Sequence, residues 1–121
     1  MEPEGNLAKF GAYRKALELF DLVVADLTPF AKHPALSRLV GQQFASADSV
    51  PSNIEEGYGR WSTKEYAQFL IIARGSAQET AGRYRRFKHW LPSQVVDARV
   101  ALCNEIIAIL TSSINTLRGE K

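Results

Sequence analysis

Apolar residues recur at alternating steps of three and four along nearly the whole chain, and that period commits it to helices. Phe10, Tyr13, Leu17, Phe20, Val24 and Leu27 form one such line, with Ala12, Ala16, Leu19 and Val23 beside it. Val96, Val100, Cys103, Ile107, Leu110, Ile114 and Leu117 form another near the C-terminus. This spacing gathers apolar side chains on one side of an α-helix, whereas a strand would need strict alternation. Prolines and caps divide the pattern. Pro29 disfavours helical geometry at Thr28, Pro34 suits the opening of a second helix, and Leu91-Pro92 makes a corner with Pro92 at the first position of the last one. Ser62-Thr63-Lys64-Glu65 fits the S-x-x-E capping box, in which the two side chains satisfy orphan backbone donors. The expected helices span about 7–28, 35–57, 62–90 and 92–118, with residues 1–6 a loose lead-in and Glu120-Lys121 frayed. Short connections make neighbours antiparallel, so the expectation is an all-α, up-down-up-down four-helix bundle, one domain over residues 1–121.

One stretch does not fit a plain helix: Ser49-Val50-Pro51-Ser52-Asn53-Ile54-Glu55-Glu56-Gly57-Tyr58-Gly59-Arg60. A helical Pro51 cannot bond the carbonyl of Ala47 and clashes with that turn, at a cost of ~3 kcal/mol unless the helix bends. The apolar line Leu36, Val40, Phe44, Ala47 resumes beyond it at Val50, Ile54 and Tyr58, which favours a helix kinked near Pro51 over one ending at Ser49. Ser49 or Ser52 is placed to bond the freed carbonyl region, and Asn53 reads as a polar link to the backbone there. Gly57 and Gly59 are expected to end the helix in left-handed conformations. Gly75 and Gly82 interrupt the third helix, where a close neighbouring helix is the expected reason.

Composition narrows the function classes. A single cysteine, Cys103, cannot form an internal disulfide, and its place on the apolar seam marks it as a buried small hydrophobe. The default compartment is the cytoplasm, since the N-terminus lacks an apolar leader and the longest apolar run, Ile106 to Leu110, is far short of the ~20 residues of a membrane span. The net charge of +2 says little, but its distribution is uneven. Residues 1–60 carry six Lys/Arg against eight Asp/Glu, and residues 61–121 carry nine against five. Arg83, Arg85, Arg86 and Lys88 are interleaved with Tyr84, Phe87 and Trp90, a mixture suited to phosphates and unpaired bases. The plainer reading of that run is an amphipathic helix end, with Tyr84, Phe87 and Leu91 turned inward and cations complementing the helix dipole.

The block Val50-Pro51-Ser52-Asn53-Ile54-Glu55-Glu56-Gly57, followed by Phe69-Leu70 and Ala73-Arg74-Gly75-Ser76, resembles a bacterial four-helix-bundle family. Its genes are associated with intervening sequences of large-subunit ribosomal RNA genes. The resemblance spans about Tyr13 to Leu117. It implies a protomer that assembles into a ring of five and carries no established enzyme activity. A distantly similar protein is the accessory protein of diversity-generating retroelements, a pentameric barrel that binds nucleic acid and its reverse transcriptase. The chain departs from the family pattern at Phe44 and Ala45, where a basic pair is usual, and at Glu55, where alanine is common. All these changes make this helix less positive.

The remaining constellations point away from catalysis. Glu55 and Glu56 are adjacent and so project about 100° apart on a helix, unsuited to joint acid–base work. An ion pair from Glu56 to Arg74 between the second and third helices is the expected role. His33, His89 and Cys103 lie in separate segments without metal-ligand spacing, and no nucleophile–base pair or cofactor motif is present. The expectation is a cytoplasmic, non-enzymatic protein without metal, cofactor, membrane span or small-molecule substrate. The last helix is apolar over more than one stripe, which calls for a further buried surface and hence a homo-oligomer. Its partner would be structured RNA or a nucleoprotein held by Arg83, Arg85, Arg86 and Lys88; the alternative is a protein-interaction module that binds no nucleic acid.

Overall fold

The computed structural model describes residues 6–119, all of whose regular elements are helical. The expected lead-in at residues 1–5 and the expected fraying at Glu120-Lys121 lie outside them. A short helix α1 (Asn6–Lys9) precedes four long ones: α2 (Gly11–Leu27), α3 (Ser37–Tyr58), α4 (Thr63–Arg86) and α5 (Ser93–Leu117). Single 3-10 turns, Thr28–Phe30 and Phe87–His89, follow α2 and α4. Each long helix packs on its two neighbours, α3 on α4 and α4 on α5 most extensively, with α2 closing the square against α3 and α5. This is the antiparallel four-helix bundle that the periodicity predicts.

The first helix is broken where a continuous one was expected. Phe10 leaves helical geometry at φ −70°, ψ 117°, and Arg14 turns back so that its Nη1 donates to the exposed carbonyls of Lys9 and, at 3.4 Å, Ala8. An orphaned helix end is thereby satisfied by a side chain from the next helix. The buried line of α2 is Ala12, Ala16, Leu19, Val23 and Leu27 with Tyr13. Leu17 is left 40% exposed, so the inner stripe falls one position away from the more bulky line that the sequence suggests.

Helix α3 runs unbroken through the buried Pro51 to Tyr58. Around the proline, the Asn53 amide donates to Ser49 O at 2.8 Å and to Ser49 Oγ at 2.9 Å, the backbone link expected of it. The glycines behave otherwise than expected. Gly59 caps the helix with right-handed geometry at φ −81°, and Gly119, beyond α5, is the described glycine with positive φ, at 74°. Gly57 instead makes room for α4, because a Cβ there would stand 2.8 Å from Phe69 Cβ and 2.9 Å from Tyr66 Cδ1. The close approach expected at Gly75 and Gly82 does not occur: a Cβ at Gly75 meets nothing within 4 Å, and one at Gly82 meets Arg86 of its own helix at 3.7 Å.

Helix α4 starts at its predicted cap, with Glu65 N donating to Ser62 Oγ at 3.0 Å. Pro92 stands just before α5 as its N-cap, extended at ψ 144°, one position earlier than expected. Helix α5 is long and apolar enough by composition to cross a membrane, yet it lies in the bundle with Cys103, Ile106, Leu110 and Ile114 buried. Only 28% of its most apolar window is buried within the chain.

Candidate functional site

Three groups of polar side chains stand out, and the fold decides what each can do. The first is a seam between α3 and α4. Gln43, Ser46, Ser76 and Thr80 are all buried there. Gln43 Nε2 donates to Thr80 O at 2.8 Å, Ser46 and Thr80 hydroxyls meet at 2.8 Å, and Ser76 Oγ donates to Ser49 Oγ at 2.8 Å. Each sits three or four residues from the next on its own helix, so the seam is a polar stripe inside an apolar bundle. Buried polar groups of this kind are tolerated because each is matched. An open cleft of about 420 Å³ lies over the seam, lined by Gln42, Ala45, Ser46, Ser49, Ser76, Glu79 and Arg83.

Arg83 belongs to this seam. Its Nη1 donates to Gln43 Oε1 at 2.8 Å and Ser46 Oγ at 3.0 Å, while its Nε is buried without a partner. Burial holds the guanidinium below its ordinary range, opposed by Glu79 and reinforced by Arg86. Of the four cations that the sequence groups together, Arg83 is therefore drawn onto α3, while Arg85, Arg86 and Lys88 remain exposed.

The second group is a tie among three helices that the sequence did not announce. Asp26 on α2 accepts from Tyr84 OH at 2.7 Å and from Arg99 Nε and Nη2 at 2.8 and 3.0 Å. Burial first, then the Asp26 bond, raises the Tyr84 phenol well above its ordinary value. The motif carboxylates take other partners than expected. Glu55 accepts from Tyr13 OH at 2.6 Å, Glu56 faces Arg60 at 3.6 Å, and Arg74 donates to Thr111 Oγ1 at 3.3 Å. The expected Glu56–Arg74 pair is absent, since Glu56 points to solvent at its helix end and Arg74 reaches across to α5. Of the other motif residues, Ser52 is exposed, with its hydroxyl 3.4 Å from Ser49 O, and Gly75 is half-buried.

The third group forms only through topology. Up-down order brings the Thr28–Leu36 connection and the Phe87–Pro92 connection to one end of the bundle. Lys32 of the first and Arg38 in the first turn of α3 join Arg85 and Arg86 in the last turn of α4 and Lys88 of the second, all exposed, with His33 and His89 among them. The acids at that end are Asp26, already neutralised by Arg99, and the exposed Asp97. Trp90 is 41% exposed in the same place. Among the described residues no cluster of His, Cys, Asp and Glu could hold a metal ion. Cys103 is buried, and burial pushes its thiol up to about 12, which makes it a poor nucleophile.

The family model for the 23S rRNA-intervening sequence protein matches residues 8–112. The chain belongs to this family. No curated protein matches it. A crystal structure of a protein of unknown function from the S23 ribosomal protein family of Bacteroides thetaiotaomicron VPI-5482 superposes with a TM-score of 0.79 at 21% identity, covering 85% of this chain and 97% of the other. At that identity the likeness is one of fold. The matched range of the intervening-sequence protein family takes in the polar seam, the Asp26 tie and the cationic end alike. Neither the family's description nor that of the neighbour names an enzyme activity.

Proposed function

We propose that this chain is a non-enzymatic, homo-oligomeric binding protein of the cytoplasm, a pentamer as the family resemblance implies, whose partner is structured RNA or a nucleoprotein held at the cationic end of the bundle. The observation that carries the reading is the exposure of Lys32, Arg38, Arg85, Arg86 and Lys88 at one end, drawn from two connections and the helix ends beside them, far apart in sequence. Cations concentrated on one surface attract a polyanion and release its counterions. Assembly is supported by the apolar surplus: α5 is mostly unburied along its most apolar window, and Leu17 and Ile72 are 40% and 50% exposed. Repetition of the end around an oligomer multiplies weak phosphate contacts.

The test is binding of the purified full chain to a structured RNA across a salt series, with light scattering for subunit number. Four to five phosphate contacts correspond to a slope of about −3 to −4, so affinity should fall roughly 60- to 250-fold between 50 and 200 mM salt. Replacing Arg85, Arg86 and Lys88 by alanine should flatten that slope. Absence of binding at low salt, or binding unchanged by the substitutions, refutes the reading. A second reading, a protein-interaction module without nucleic acid, is favoured by Trp61, which is fully exposed at the α3–α4 corner. It predicts a purified protein free of copurifying nucleic acid by absorbance at 260 against 280 nm.

A further inference from the structure

We propose that Trp90 is a stacking platform for an unpaired nucleobase, so that the RNA taken at this end is engaged at a single-stranded position. This rests on the RNA reading above and narrows it. Trp90 closes the turn after α4, its backbone N–H donating to Phe87 O at 2.9 Å. Its ring meets the edge or face of Phe87 at 6.2 Å and 69°, and of His89 at 5.6 Å and 75°. Phe87 is buried and meets Tyr84 in the same manner at 6.5 Å and 67°, and the Tyr84 hydroxyl is bonded to Asp26. A line of contacts thus runs from a largely covered carboxylate through two buried rings to one exposed ring. The indole is set in place before any ligand arrives, which lowers the ordering cost of binding.

Its neighbours decide what would stack there. Arg85, Arg86 and Lys88 are exposed on the same segment and offer contacts to phosphates on either side of a stacked base. Bases within an A-form duplex are stacked on each other behind a narrow major groove, so a side-chain ring reaches only those in loops, bulges or ends. An aromatic platform of this kind is sequence-tolerant, because every base has a π-face.

The experiment uses the full chain with Trp61→Phe, which leaves Trp90 as its single tryptophan. The probes are an oligouridylate of about 12 nucleotides, within the range of known single-strand sites, and a blunt RNA duplex of equal length at low salt. Indole emission and electrophoretic mobility are both read. The single strand should quench Trp90 and bind tighter than the duplex. Trp90→Ala should weaken single-strand binding by about 5- to 150-fold, the range of one base–aromatic stack, and leave duplex binding within about twofold. Trp90→Phe, which keeps an aromatic ring against Phe87, should fall between, and thermal melts of both variants separate lost stacking from lost fold. Equal binding of both probes, or cation-dependent binding without quenching, overturns the platform and leaves the RNA reading standing. No binding of either probe overturns both. Emission that shifts with protein concentration alone assigns the ring to a contact between copies and overturns the platform too.

Discussion

Removing the Asp26 carboxylate is the sharpest test of how this bundle is held together. Its side chain is 10% exposed and that of Arg99 19%, so the ion pair is largely desolvated and solvent screening is weak. Asp26→Ala leaves the guanidinium half-buried with nothing to accept its two bonds, and breaking a buried pair by removing one partner costs ~3–5 kcal/mol. The residual exposure of both groups puts the value near the lower end, at about 3 kcal/mol. The Tyr84 hydroxyl loses its acceptor as well, adding about 1 kcal/mol. A total near 4 kcal/mol corresponds to a fall in melting temperature of roughly 12–20 °C for a chain of this length. The assay is equilibrium unfolding by denaturant, followed by circular dichroism at one fixed protein concentration, since association shifts apparent stability. The control separates the worth of the tie from the damage of half-removing it. The triple variant Asp26→Leu, Tyr84→Phe, Arg99→Met removes every polar partner together, and buried ion pairs replaced by apolar groups of similar size are often neutral or stabilising. It should therefore recover most of the loss. A single variant that costs under about 1 kcal/mol, or a triple variant no better than the single, refutes this account.

Three further outcomes follow from other positions. Gly57→Ala should destabilise by about 1–3 kcal/mol, because its Cβ would collide with Phe69 and Tyr66, whereas Gly75→Ala, opening onto free space, should stabilise by up to about 1 kcal/mol; thermal melts decide the two signs. Ser62→Ala removes the acceptor of Glu65 N and should cost about 1 kcal/mol by the same measurement. Cys103 keeps its proton in the fold up to about pH 12, while the unfolded chain releases it near 8.5. A raised value in the folded state means stability is whole below about pH 8.5 and declines above it by about 1.4 kcal/mol per pH unit. Denaturant midpoints of the native chain at pH 8 and 10 should differ accordingly, and Cys103→Ala should remove that part of the slope.

The helices were legible because apolar periodicity, the Ser62 cap and the prolines are local signals, and Pro51 was read through correctly because the stripe resumed at Ile54. The breaks were less so. Phe10 interrupts the first helix because Arg14 turns back to its carbonyls, a choice between partners that no window of sequence contains. Gly57 carries a signal with two meanings: a glycine spared for a neighbouring helix and one spared for a left-handed turn look alike in one dimension, and the structure uses the first. The polar seam is hidden in the sequence although Gln43, Ser46, Ser49 and Asn53 repeat at helical spacing, because a polar line of that period has the same form as a solvent face. The basic run divides on the helix surface. Arg83 adjoins Arg85 and Arg86 in sequence, but its helical position turns it to α3, and Lys32 and Arg38 come to the same end only through the topology that sets the start of α3 beside the end of α4.

The α3–α4 pair is joined in two different ways along its length. Near Gly57 the helices touch backbone to ring, and water has no reason to enter. From Ser49 to Arg83 they are joined by hydroxyls and amides, whose partners water can replace at little enthalpic loss. Any breathing of this pair would begin along the serine-lined stretch, so amide exchange should be faster there than beside Tyr66. The Tyr84 bond to Asp26 anchors α4 just short of Arg85 and Arg86, so such an opening is confined between two fixed points and leaves the cationic end in place.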